Sequence, residues 1–193
     1  KHIHQIDMKK YDDVMELNLR GYVLGVQAFT RQAIHHKIRN AAIVCIKSIY
    51  GSGGSRFSNP AYQISKHGTM GLVRQTAIEF ARASKRLGIP HPIRVNAVSP
   101  TFTTTALTAE MLSYNDVKST IENSNPSGQL AKKESVANTV VWLLSDMATD
   151  ITGSDFPVDC GVLSEVVPTV SEVNNLNFNK NIEFLSCCGS TND

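Results

Sequence analysis

Apolar residues recur at three- and four-residue spacing over residues 12–36: Val14, Leu17, Gly21, Leu24 and Ala28, with Val23 and Phe29 beside them. That spacing predicts a helix. Asp12 and Asp13 stand in its opening turn, where negative charge suits the helix dipole. Asn18 falls on the same stripe as Leu17 and Gly21, so its amide needs a polar partner on the inner face. The pattern then changes period. Residues 41–46 (AAIVCI) are continuously apolar, as expected of a strand covered on both faces in a parallel sheet. Lys47-Ser48 ends the run, and a loop rich in Gly and Ser follows over 51–58.

Asn59-Pro60 predicts a second helix start, with Asn as the N-cap and Pro in the first helical position. Leu87-Gly88 predicts its end, with Pro90 just beyond. Its inner face is expected to be small: Ala61, Ser65, Gly68, Gly71 or Leu72, and Ala77. Residues 93–98 (IRVNAV) predict a second strand ending at Ser99-Pro100, followed by a polar, mobile-looking stretch to about residue 129. Residues 134–146, with Val136, Val140, Val141, Trp142, Leu143 and Leu144, predict a third helix, and residues 155–158 a third strand. Apolar strands alternating with helices imply an α/β fold, a parallel sheet joined by right-handed crossovers. After Gly161 periodicity stops, so residues 162–193 are expected to be an irregular tail.

Composition narrows the class of partner. The chain has 193 residues, 41% hydrophobic and 19% charged, with a net charge of +2. That suits a globular domain with a sizeable core, and gives no reason to expect nucleic acid or an anionic membrane as a partner. No apolar run reaches the ~18 residues of a membrane span. Cys45, Cys160, Cys187 and Cys188 show no CxxC spacing. Cys45 reads as a small buried hydrophobe, and four cysteines in a chain this long do not suggest a disulfide framework. A reducing, cytoplasmic setting is expected. No metal site is expected either, because adjacent His35 and His36 face apart on a helix. The chain begins at Lys1 on a polar stretch unlike a domain start, which suggests a preceding segment that is missing.

Ligands of open α/β sheets bind beyond the carboxyl ends of the strands. Ser48 stands just past one such end, and Ser99-Pro100-Thr101 past another. Tyr62 and Lys66, four apart in the first turns of the second helix, share one face. A phenol beside an ammonium can donate a proton to a carbonyl oxygen or take one from an alcohol, and a serine hydroxyl can hold the same oxygen. By itself a Tyr-x-x-x-Lys pair is an ordinary surface pair. Order and spacing give it weight.

The blocks Asn18-Leu19-Arg20-Gly21, Ser48-Ile49-Tyr50-Gly51, Asn59-Pro60-Ala61-Tyr62-Gln63-Ile64-Ser65-Lys66, Ile93-Arg94-Val95-Asn96-Ala97-Val98-Ser99-Pro100, and Thr152-Gly153 leading to Pro157-Val158-Asp159 occur in this order. Together they resemble the short-chain dehydrogenase/reductase family. The resemblance implies a partial Rossmann-like, doubly wound parallel sheet made of three C-terminal strands with flanking helices. It implies an oxidoreductase moving hydride between NAD or NADP and a small-molecule secondary alcohol or ketone. Tyr62 would be the acid/base, Ser48 would orient the substrate oxygen, and Lys66 would bind the nicotinamide ribose and favour ionisation of Tyr62. Asn18 would hold a water in the proton relay. Pro100 and Thr103 would meet the nicotinamide amide, Thr105 the amide or the phosphates, and residues 103–125 would form a lid. Homo-oligomers through helices 12–36 and 60–86 are compatible with it. Thr101 and Cys160 stand where the family usually has Gly, and Lys47 where it often has a small residue. The family's Gly-rich pyrophosphate turn is not found: the only glycine cluster, 51–54, lies between Ser48 and Tyr62. The chain alone is therefore expected to hold cofactor poorly. A non-catalytic remnant or binding module is the competing expectation.

Overall fold

The computed structural model describes residues 2–38, 40–54, 59–88 and 92–165. The first helix opens earlier than its apolar spacing suggests. Asp7 is the N-cap, its carboxylate accepting from the Lys9 and Lys10 N–H groups, so α1 (Met8–Met15) already contains Asp12 and Asp13. A π turn at Glu16–Arg20 then carries the chain into α2 (Gly21–His35). Five-residue closure, Gly21 N–H to Glu16 C=O, rotates everything downstream.

That rotation explains a misread face. Leu17, Gly21, Leu24 and Ala28, expected inside, are exposed, while Asn18, Tyr22, Val26 and Ala33 form the packed side. Two apolar stripes lie on this helix, and a uniform 3.6-residue period selects the outer one.

β1 (Ala42–Ile46) leads through a tight turn at Ile49–Gly51 to α3 (Pro60–Leu87). Here the predicted punctuation holds. The Asn59 side chain accepts from Tyr62 N–H at 3.4 Å, and Gly88 adopts a left-handed C-cap (φ 62°). Ala61, Ser65 and Ala77 are buried as expected, and of the alternatives Gly71 and Leu72 it is Leu72 that is half-buried, Gly71 being exposed. Gly68 does permit a close approach: a Cβ there would lie 2.8 Å from a Leu19 methyl in the π turn.

β2 (Arg94–Pro100) is followed by two short helices, α4 (Ala109–Leu112) and α5 (Asn115–Asn123), where a polar, mobile-looking stretch was expected. Leu112 and Ile121 give these helices their buried anchors. α6 (Lys133–Leu144) and β3 (Asp155–Val158) complete the order. The sheet is parallel, β1-β2-β3, with Cys45 beside Ala97 and Ala97 beside Asp155.

Two cores flank the sheet. Cys45, Val95 and Ala97 pack with Met70, Val73, Ala77 and Phe80 of α3. Val98, Val44, Phe156 and Val158 pack on the opposite face with Leu143, Val140 and Trp142 of α6. Motif residues fasten the strands. Asn96 donates to the Ile151 carbonyl at 2.8 Å and accepts from Ser154 N–H, and Thr152 accepts from Val95 N–H. Residues 2–163 lie within one compact unit. The expected tail, including Cys187 and Cys188, lies from residue 166 onward outside the described residues. Among the described residues no helix is long and apolar enough to cross a membrane.

Candidate active site

The carboxyl end of β1 delivers Ser48. Its side chain caps the turn that follows, accepting from Tyr50 N–H at 3.2 Å, while its carbonyl accepts from Gly51 N–H. An acceptor role leaves the hydroxyl proton available for donation. Gly51 is required by proximity: a Cβ there would lie 2.6 Å from the Lys66 carbonyl oxygen, so the turn rests directly on the backbone of α3.

Lys66 is buried at 8% exposure. Its ammonium donates to the Ile46 carbonyl at 2.9 Å and lies 5.6 Å from the ring centroids of both Tyr22 and Tyr62. Two aromatic faces and one carbonyl thus hold the cation. Burial pushes its pKa below the usual lysine range, with the neighbouring Cys45 acting the other way. Burial pushes the Cys45 thiol up to about 11, so it stays a neutral hydrophobe as expected. Tyr22 shares the Ile46 carbonyl, donating at 2.7 Å, and burial raises its phenol as well. Tyr22 is therefore a protonated donor fixed to the backbone.

Asn18, at the centre of the π turn, donates to Ser65 Oγ at 3.3 Å, and Ser65 Oγ in turn donates to the Tyr62 carbonyl at 2.7 Å. Asn18 thereby reaches the Tyr62 segment through one intervening hydroxyl. The loop after β2 is stapled by a residue the sequence did not mark. Thr108 Oγ1 donates to the Thr103 carbonyl at 2.6 Å and accepts from Thr105 N–H at 2.9 Å. Thr103 also pairs with Ala131. Pro100 ends β2, and Thr101 donates its N–H to the Val158 carbonyl without adopting positive φ. Cys160, by contrast, does occupy a left-handed position (φ 57°).

Ser99 departs from its expected place at the rim. Fully buried, it donates to Asp155 Oδ1 at 2.6 Å. Asp155 also pairs with Lys47, which reaches it across the α3 face of the sheet. Neither Lys47, Asp155 nor Tyr22 was singled out for the site from the sequence. A charge closing the apolar run 41–46, and another opening the third strand, were the available signals.

Residues 1–163 match the family model described as enoyl-(acyl carrier protein) reductase. The chain is 38% identical over 162 residues to a (+)-cis,trans-nepetalactol synthase of Nepeta racemosa, an alignment covering 82% of this chain and 57% of that protein. It is 32% identical over 161 residues to cis-4-hydroxycyclohexanecarboxylate dehydrogenase of Sinomonas cyclohexanicum, covering 82% and 59%. Among solved structures it resembles 4-hydroxyisoleucine dehydrogenase complexed with NADH, with a TM-score of 0.76 at 27% identity, covering 86% of this chain and 64% of that one. The chain thus spans between 57% and 64% of the length of these proteins.

Proposed function

The chain belongs to the short-chain dehydrogenase/reductase family, and on that footing we propose that it carries the proton-transfer half of an oxidoreductase acting on a secondary alcohol or ketone with NAD or NADP. The observation that carries this reading is the Lys66 ammonium held against the Tyr62 ring, at the strand ends where Ser48 also stands. Tyr62 is the acid/base. When its proton leaves for a carbonyl oxygen, the ammonium stabilises the negative charge left on the phenol. Ser48, its Oγ fixed by Tyr50 N–H, donates its hydroxyl proton to the same substrate oxygen. Asn18 ties the Tyr62 turn to the π turn through Ser65.

The donor set fits the nicotinamide-ribose end of the cofactor. Lys66 is a cation with donor capacity beyond its bond to Ile46, suited to ribose hydroxyls. The backbone of Pro100 to Thr105, braced by Thr108, suits the carboxamide. When bound, the cofactor supplies or accepts the hydride at the substrate carbon. Helices α4 and α5, following Thr105, are the substrate-side cover. Assembly through the outer faces of α1–α2 and α3 is supported by the exposed Leu17, Leu24, Ile64 and Ile78.

The test is turnover by this chain of secondary alcohols with NAD or NADP, and of ketones with the reduced forms. Cofactor-dependent turnover that falls about 10²–10⁴-fold in Tyr62→Phe is expected. Turnover that survives the substitution removes Tyr62 from the reaction. A chain that binds neither cofactor nor substrate is the non-catalytic remnant instead.

A further inference from the structure

Lys47 is the most deeply buried lysine described, at 3% exposure. Parallel register puts it on the α3 face of the sheet, two residues beyond core Cys45, with its N–H donating to the Val98 carbonyl at 2.8 Å. From there its stem passes beneath Gly51, where a Cβ would lie 2.5 Å from Lys47 Cε. The ammonium ends between Asp155 Oδ2 of β3 and Ser52 Oγ, the residue after the Ser48-capped turn. Asp155 is held in place from β2 by the Ser99 hydroxyl, and Ser52 Oγ is 3.3 Å from the same carboxylate. One side chain therefore links β1, β3 and the turn, and the turn lies between that side chain and the backbone of α3 at Lys66.

We propose that Lys47, acting through Asp155 and Ser52, is a positioning residue that clamps the Ser48–Gly51 turn onto the helix bearing Tyr62 and Lys66. The proposal rests on the catalytic reading above. A simple core filler would not need a charge here, because an apolar side chain of similar volume avoids the desolvation cost that an ion pair must offset. The pair instead fixes direction: a carboxylate anchored at both oxygens aims the ammonium, and the ammonium holds the loop. An error of an ångström in the hydroxyl that orients a reacting oxygen is enough to slow chemistry about a hundredfold.

Lys47→Met alone leaves Asp155 unpaired and can fail to fold, so the informative variant is Lys47→Met/Asp155→Asn. It removes both charges and keeps an acceptor for Ser99. Ser52→Ala cuts the loop end of the clamp and leaves both charges of the pair in place. Two readouts are taken on the full chain: amide exchange at Tyr50, Gly51 and Ser52, whose N–H groups close the turn, and steady-state kinetics. The double variant is expected to melt near the wild-type temperature. Its turn amides should exchange about tenfold faster relative to β1 and β2. Its kcat should fall about a hundredfold with KM nearly unchanged, and Ser52→Ala should show a smaller change in the same direction. Wild-type exchange and kcat in the double variant would overturn the clamp. Tyr62→Phe in parallel separates the failures, since turnover surviving it sinks the catalytic reading while the exchange measurement, which needs no turnover, still decides the role of Lys47.

Discussion

Lys66 is asked to stay charged in a place that disfavours charge. Burial lowers its pKa from the ordinary lysine value of 10.5, so the folded chain binds this proton less tightly than the unfolded chain does. The sign of the linkage follows. Below the folded pKa the group is charged in both states and its full desolvation cost opposes folding; as pH rises through the folded pKa towards the unfolded one, that cost disappears. Lys66→Met should therefore raise the melting temperature at neutral pH, and the gain should shrink as pH climbs into the alkaline range. The Ile46 carbonyl is not orphaned by this change, because Tyr22 still donates to it. Turnover should be lost in the same variant, a trade of stability for activity common at functional sites. Melting curves of both proteins across neutral and alkaline pH check the point, and a Lys66→Met chain less stable at pH 7 would show that the carbonyl and ring contacts outweigh burial.

At the scale of elements, Arg94 shows why motif residues need not be site residues. It opens β2 at 3% exposure, and its guanidinium donates to the carbonyls of Leu143 at 2.7 Å and Ser145 at 3.0 Å. A cation thus closes the carboxyl end of α6, where the helix dipole favours positive charge. Arg94→Leu would leave one buried and one half-buried carbonyl without their donor, and a cost of about 3 kcal/mol is expected for hydrogen bonds of this charged kind. Urea denaturation reads that number, and faster exchange at the Ser145 amide, bonded to Val141 and Trp142, locates it. A variant as stable as wild type would mean water replaces the guanidinium. What could be read in advance divides along the same line. The strands and the caps of α3 were legible, because they rest on local chemistry and spacing, whereas the set Asn18, Ser48, Tyr62 and Lys66 was marked by the order of motifs that carries the family resemblance. The polar roles of Lys47, Ser99 and Asp155 were not. They depend on which residues three strands bring level on one face, and a linear pattern carries no register. Thr108 was missed for a related reason, being one of several threonines in a loop whose bonding only the folded path decides.

The whole molecule turns on the same π turn that misled the helix assignment. Because Gly21 N–H bonds Glu16 C=O, α2 turns Tyr22, Val26 and Ala33 inward, and Leu17, Gly21, Leu24 and Ala28 are left as a second apolar stripe facing out. Leu17 is 78% exposed and Leu24 50%, and on α3 Ile64 and Ile78 are exposed too. Scattered apolar residues on a surface need no explanation, but a stripe at helical spacing does. A helix keeps one apolar face to bury in its own core; a second implies burial elsewhere. We expect concentration-dependent self-association, visible by sedimentation velocity over about a hundredfold range at the affinities typical of modest interfaces. Leu24→Lys should shift the chain to monomer. Its melting temperature at low concentration should barely move, since an exposed substitution of this kind changes stability by about 0.5 kcal/mol or less. If the wild-type chain stays monomeric throughout, or Leu24→Lys associates equally well, the outer stripe is not an interface. The π turn would then owe its place to the inner face alone, where it sets Asn18 against Ser65 and Tyr22 against the Ile46 carbonyl.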